Sequence, residues 1–267
     1  MDLTNIKLIV SDMDGTLLNS KHELSNKFLE LFEELKKYNI HFCAASGRPH
    51  YSMISKFESI LPHITIIAEN GGIITKDFQL LAKSNIEDCH RKALFEAIQP
   101  IEDVNPIYCT QNKAYIQSDN PEVLSYVSEY YTNYKIVNSI NEVDEAIIKI
   151  ALYHPIDSEV HIYPFVKNLE TDFLVKVSGK HWVDISDKKT NKGNAIKLLQ
   201  NQLNITKEET MAFGDYFNDI EMLNSASFSF AMENAHPAIK EISNYCTKSN
   251  DDFGVEIIIE KLIKQLS

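Results

Sequence analysis

The stretch "IKLIVSDMDGTLL", Ile6 to Leu18, sets an apolar run directly against two carboxylates, Asp12 and Asp14. A β-branched run such as Ile6–Val10 reads as a buried strand. Two negative charges at its end repel each other and resist desolvation, so the site asks for a neutralising partner. Taken alone, the stretch has two ordinary readings. Asp-Gly between apolar runs is a hairpin signal. Asp12, Asp14 and Glu23 also stand at positions 1, 3 and 12 of a calcium loop, but Leu17 occupies the place of its sharp-turn glycine, and a strand rather than a helix precedes it.

Working outward, strands and helices alternate. The segment Ser25–Asn39 carries apolar residues at Phe28, Leu31, Phe32 and Leu35, an amphipathic helix capped by Ser25. Ile40–Ala45 is a second strand, a helix follows Arg48–Pro49, and Ile64–Asn70 is a third strand. "GGIITKDFQLL" then reads as a hairpin suited to an edge of the sheet. This βαβαβ order predicts a parallel sheet with ligands at the carboxyl ends of its strands.

The middle of the chain has another character. Helical periodicity at Ile86–Ile98 leads to short strands "PIYCT" and "KAYIQ", then a helix near Pro121–Tyr131 and a strand "AIIKIALYH". A helix near Ser158–Leu169 and the paired strands "DFLVKVSG" and "KHWVDIS" close it. Alternation then resumes with a helix over Asn191–Leu203, a strand at Thr210–Asp215, a helix over Asn218–Leu223, a strand "SFSFAM" and a terminal helix from Phe253. The expectation is an α/β fold: a Rossmann-like parallel-sheet core, residues 1–82 and 184–267, interrupted by an inserted α+β domain over residues 83–183.

Composition narrows the function. A formal net charge of −12 argues against a nucleic-acid partner, which calls for a basic face, but not against an anionic small molecule held by a cation or a lysine. The four cysteines form no C-x-x-C pair, which disfavours a disulfide framework or zinc knuckle and fits a reducing compartment. Neither a signal peptide nor a spanning apolar run is read from the sequence, so a soluble, cytoplasmic protein with no membrane partner is expected. The nine histidines show no ligand spacing and read as surface or satisfied core positions, and Trp182 with Tyr126, Tyr130, Tyr131 and Tyr134 as packing of the inserted domain.

If the sheet is parallel, four groups converge on one edge: Asp12 and Asp14; Ser46, Gly47 and Arg48; Lys192 opening a helix; and Gly214, Asp215, Asn218 and Asp219. Asp12, Asp14 and Asp215 supply hard oxygens suited to Mg²⁺. Lys192, unfavourable where a helix dipole is positive, hints at an anionic partner, and with Ser46 and the Gly47 N–H it can hold a phosphoryl group. A carboxylate in line with that group can attack it, and a second one can protonate the leaving oxygen. Adjacent strand side chains point opposite ways while alternate ones can share a side, so both acids can face one site if the strand geometry persists through Asp14.

"DMDGTLL", "SGR", the lysine of "NKG" and "GDYFNDIEML" resemble the four motifs of the haloacid dehalogenase-like hydrolases, and the match is close to the Cof-type phosphatases with a class IIB cap. "ENGG" and "FAMENAHPAIKEISNYCTKSNDDFGV" fit the same family, so the resemblance covers the whole core. It implies a nucleophile and metal ligand at Asp12, a general acid/base at Asp14 with its carbonyl on the metal, a charge-neutralising lysine at Lys192 and a further ligand at Asp215. Phosphate would be held by Met13, Ser46, Gly47, Lys192 and Asn218, with Asp219 behind them; Ser46 stands where the family more often has threonine. Asn70 and Asn250 fit either substrate contact or loop organisation, the second being favoured.

The insert lies between the Ser46 and Lys192 elements, the second cap position, and such a cap would exclude water and contact the leaving group. The expected activity is Mg²⁺-dependent hydrolysis of a small phosphorylated metabolite (sugar phosphate, nucleotide or cofactor phosphate) through an aspartyl-phosphate. Two other readings share the kit: a phosphomutase or phosphotransferase on sugar phosphates, and a non-catalytic phosphoacceptor, though receiver-type phosphoacceptors need neither the insert nor Asp14. Oligomeric state is not readable from the sequence.

Overall fold

The computed structural model describes residues 1–267, which divide into two compact units. The first comprises Met1–Gly47, Lys56–Leu81 and Asn191–Ser267; the second comprises Arg48–Ser55 and Ala82–Thr190. In chain order come β1 (Leu8–Ser11), α1 (Asn26–Lys37), β2 (His41–Ala45), α2 (His50–Lys56), β3 (Ile64–Ala68), β4 (Ile73–Lys76) and β5 (Gln79–Lys83). Next are α3 (Arg91–Ile98), β6 (Asn105–Cys109), β7 (Ala114–Ile116), α4 (Pro121–Val127), β8 (Tyr134–Ile136) and β9 (Lys149–Tyr153). They are followed by α5 (Ser158–His161), α6 (Tyr163–Val166), β10 (Phe173–Gly179) and β11 (Trp182–Asp187). The chain ends with α7 (Lys192–Leu203), β12 (Thr210–Gly214), α8 (Ile220–Leu223), β13 (Phe228–Ala231), α9 (Pro237–Ile242), β14 (Tyr245–Cys246) and α10 (Gly254–Leu266).

The first unit is built on an eight-stranded sheet in the order β14-β13-β12-β1-β2-β3-β4-β5. From β14 to β3 every neighbouring pair is parallel; β4 runs antiparallel to β3, so the hairpin forms the edge. Every residue of β1, β3 and β12 is buried, the pattern of strands covered on both faces. Helix α1 is capped by Ser25, whose hydroxyl accepts the Phe28 N–H at 2.9 Å. Its buried face sets Phe28 and Phe32 against Phe42 of β2, with ring centroids 4.9 and 6.3 Å from it. Because the strands are parallel, the residues following β1, β2 and β12 come out on one edge.

The second unit carries a six-stranded sheet, β10-β11-β9-β6-β7-β8, antiparallel except for β7 with β8. Both faces are packed. Along β9, Ile150 and Leu152 belong to one apolar cluster while Ala151 and Tyr153 belong to another, which is why this strand reads as an unbroken apolar run.

The local differences from expectation have physical causes. The helix expected over Ser158–Leu169 is broken into α5, α6 and a 3₁₀ turn at Lys167–Thr171. Pro164 has no N–H to donate and its ring crowds the preceding turn. Helix α4 stops at Val127 rather than Tyr131, and β11 continues in the second sheet to Asp187. Strands β8 and β14 are three- and two-residue edges whose residues are all exposed, so they carry no apolar pattern. No helix is long and apolar enough to cross a membrane.

Phe42→Ala removes the ring that α1 packs on, and we expect a loss of about 3–5 kcal/mol in stability. Urea unfolding followed by far-ultraviolet circular dichroism would measure it, and an unchanged midpoint would refute this account of how α1 is held.

Candidate active site

Strand β1 hands its geometry on to the first site residue. The Asp12 N–H donates to the Phe213 carbonyl at 3.0 Å, extending the parallel ladder with β12 by one step. Asp12 is 5 % exposed. Met13, which follows it, is fully buried. Lys192 is the first residue of α7, whose N-cap Asn191 accepts the Asn194 N–H at 2.8 Å.

Lys192 is wholly buried, with Nζ 2.5 Å from Asp12 Oδ1 and 2.6 Å from Asp219 Oδ1. Burial pulls its pKa down, but Asp12 and then Asp219 outweigh that and hold it above the ordinary lysine value. Asp219 uses its other oxygen, Oδ2, to accept the N–H groups of Asp215 at 2.9 Å and Tyr216 at 3.2 Å. Both of its oxygens are committed, so it shapes the loop and anchors the lysine.

Asp215 follows Gly214 at the end of β12, and Thr16 Oγ1 donates to its Oδ1 at 3.2 Å. Burial, followed by the charge of Asp219, pushes its pKa up to about 6. Asp12 is raised as well, by burial first and against the pull of Lys192. Ligand oxygens of Asp12, Asp215 and Asp219 lie within 4.8 Å of one another. Three carboxylates around one ammonium leave an excess of negative charge in a desolvated place, and Asp12 and Asp215 offer hard oxygens. That donor set fits a divalent cation such as Mg²⁺. Gly15 makes room beside it: its φ is +77°, and a Cβ there would stand 2.5 Å from Asp215 Oδ2.

On the other side, Ser46 follows β2 and is 2 % exposed. Its N–H donates to the Ile67 carbonyl and its carbonyl accepts the Asn70 N–H, each at 2.9 Å. Asn218 Nδ2 donates to Asn70 Oδ1 at 3.1 Å, and a Cβ on Gly47 would lie 3.1 Å from Asn70 Nδ2. Asn70, at φ 54°, thus ties the Ser46–Gly47 turn to Asn218, the organising role that the sequence favoured. Asn250 has a similar place, donating to the Leu18 carbonyl at 2.9 Å.

Two residues lie outside what the sequence pointed to. Asn234 donates to the Gly15 carbonyl at 2.7 Å and accepts the Asn250 N–H at 3.2 Å, bracing the turn after Asp14. His22 Nδ1 lies 3.0 Å from Asp14 Oδ1. Asp14 is not among the three clustered carboxylates, so Asp12 and Asp14 face different partners. No spacing rule would have found either residue, because both act through turns folded back over the loop.

Residues 9–259 match the haloacid dehalogenase-like hydrolase family. The chain belongs to this family. Among its relatives, the 5-amino-6-(5-phospho-D-ribitylamino)uracil phosphatase YbjI of Escherichia coli K12 is 30 % identical over 263 residues, covering 97 % of both chains. The phosphatase YwpJ of Bacillus subtilis 168 is 31 % identical over 291 residues, covering 97 % of this chain and 100 % of that one. The crystal structure of SMU.1108c from Streptococcus mutans UA159 superimposes with a TM-score of 0.88 at 29 % identity, covering 97 % of this chain and 99 % of that one. This hydrolase is therefore an enzyme of the phosphatase type.

Lys192→Met would leave Asp12 and Asp219 buried without their cation, and we expect it to cost about 3–5 kcal/mol of stability near neutral pH. A buried acid whose folded pKa is raised contributes stability that is full below its unfolded value and lost as pH rises through the folded one. Both Asp12 and Asp215 are already raised, and loss of the ammonium raises Asp12 further. The deficit of the variant should therefore shrink as pH falls from 8 to 5 in thermal melts. Parallel curves for variant and native protein would contradict this.

Proposed function

We propose that the protein is a Mg²⁺-dependent phosphomonoester hydrolase that works through an aspartyl-phosphate on Asp12. The observation that carries the reading is the buried contact of Lys192 with Asp12, beside Asp215, with the Ser46–Gly47 turn following the neighbouring parallel strand β2. Asp12 and Asp215, with the Asp14 carbonyl, would hold the cation. When bound, it would supply positive charge against which the carboxylate and the phosphoryl oxygens can approach.

The chain's own residues do the rest. Lys192, the Ser46 hydroxyl, the Met13 and Gly47 N–H groups and Asn218 bind and orient the phosphoryl oxygens. A carboxylate oxygen of Asp12 forms a bond to phosphorus as the bond to the leaving oxygen breaks. The electron pair of that bond goes to the leaving oxygen, which takes a proton from the Asp14 carboxyl. Asp14, now a carboxylate, takes a proton from water, and the oxygen of that water bonds to phosphorus. The Asp12–phosphorus bond breaks, its electron pair returns to the carboxylate, and inorganic phosphate leaves.

We assign the module expected over residues 83–183 as the cap domain of the family, with the choice of leaving group as its task. The ribitylaminouracil phosphate in YbjI's name is the first substrate to test here, ahead of sugar, nucleotide and cofactor phosphates. Phosphate release would be measured over such a panel with Mg²⁺ and with EDTA. We expect turnover only with the cation, and a fall of about 10³-fold or more in Asp12→Asn. Substantial activity in that variant would sink the mechanism, and an isomeric sugar phosphate in place of free phosphate would indicate a mutase.

Cation and proton compete for Asp215, which is protonated below about 6. We therefore expect added Mg²⁺ to raise the thermal midpoint more at pH 7.5 than at pH 5. The reverse order would remove Asp215 from the cation site.

A further inference from the structure

His22 occupies a loop built to present it. The Asn19 side chain accepts the N–H groups of Lys21 at 2.9 Å and Glu23 at 3.0 Å, and the His22 N–H donates to the Asn19 carbonyl at 2.8 Å. Lys56 Nζ donates to the His22 carbonyl at 2.9 Å, and Asp251 accepts the Ser20 N–H at 2.8 Å. These contacts hold His22 at φ 59°, in the left-handed region that residues with a Cβ adopt infrequently. The imidazole is thereby turned back onto Asp14, with Nδ1 3.0 Å from Oδ1.

Stability does not account for this arrangement. The two side chains are 61 % and 39 % exposed. Exposed pairs of this kind add little to stability, because water screens them. What the contact does is restrict the rotamers of one carboxylate, the one that stands apart from the Asp12, Asp215 and Asp219 group.

We propose that His22 is a positioning residue for proton transfer: its hydrogen bond fixes the Asp14 carboxyl in the orientation that delivers a proton to the leaving oxygen. This rests on the reading of Asp14 as the general acid. A positioned acid matters in proportion to how badly the leaving group needs a proton. Sugar and other alkyl phosphates expel a strongly basic alkoxide, whereas p-nitrophenyl phosphate expels a stable phenolate. A residue that only supports the loop would affect both alike.

The test compares kcat/KM for p-nitrophenyl phosphate with that for the alkyl phosphomonoester the native enzyme hydrolyses fastest. This ratio follows transfer to Asp12, the step in which the leaving group departs. His22→Gly keeps the backbone conformation without strain but removes the imidazole, while His22→Asn tolerates the same φ and retains an N–H donor near the position of Nδ1. We expect His22→Gly to lose about 10–100-fold on the alkyl substrate and less than about threefold on p-nitrophenyl phosphate. His22→Asn should keep most of the activity on both, with thermal midpoints close to native. Equal losses on the two substrates, or none, would overturn the proposal. Asp14→Asn, run alongside, separates the failures. If it shows the selective loss and His22→Gly does not, His22 has no such role. If Asp14→Asn shows no selectivity, the general-acid reading fails and this proposal falls with it.

Discussion

One ammonium group, fully buried between two carboxylates, sets the constraint that the rest of the site obeys. Lys192 stands at the start of a helix, where the backbone already presents positive charge, and it is reached by Asp12 and Asp219. Removing one member of such a buried group is costly, yet apolar packing of equal volume would often hold a fold at least as well. The triad ties the end of β1, the turn after β12 and the first turn of α7 to one point.

Around that point the backbone is held by side chains that take no part in the proposed reaction. Asp219 gathers the N–H groups of the Asp215 turn, Asn70 links Asn218 to the Ser46–Gly47 turn, and Asn234 and Asn250 hold the carbonyls of Gly15 and Leu18. Reacting groups placed on strand ends and braced in this way keep their positions without help from the ligand. Gly15 shows how tight the fit is, since even a methyl group there would displace Asp215.

Much of this architecture was legible in the sequence. Ile6–Val10 followed by Asp12, and Thr210–Gly214 followed by Asp215, announced strands ending in carboxylates, and parallel pairing places their ends together. Lys192 betrayed itself by standing where a helix dipole disfavours it. What escaped notice depended on contacts across long stretches of chain or on rare backbone conformations. Asn234 acts on Gly15, more than 200 positions away, and His22 reaches Asp14 only because its own backbone is left-handed. The break at Pro164 could have been foreseen from its missing donor; β8 and β14, exposed and very short, could not.

The first unit is assembled from three separate pieces of chain, and β1 lies between β2, close in sequence, and β12, some 200 residues later. Asp12 and Lys192 are 180 residues apart. On a ribosome, the strand leading into Asp12 emerges early and must wait, half-paired, while the whole insert is made. Loop-closure entropy alone is a modest obstacle, rising by only about 0.6 kcal/mol per doubling of length. An insert that folds as it emerges shortens the effective loop further, and Gly71 and Asn191, near its two ends, lie in close contact in the finished fold. The order of synthesis thus withholds the charged site until the last quarter of the chain arrives. An incomplete chain carries Asp12 but has neither Lys192 nor Asp215, so the buried charge cluster cannot assemble on it.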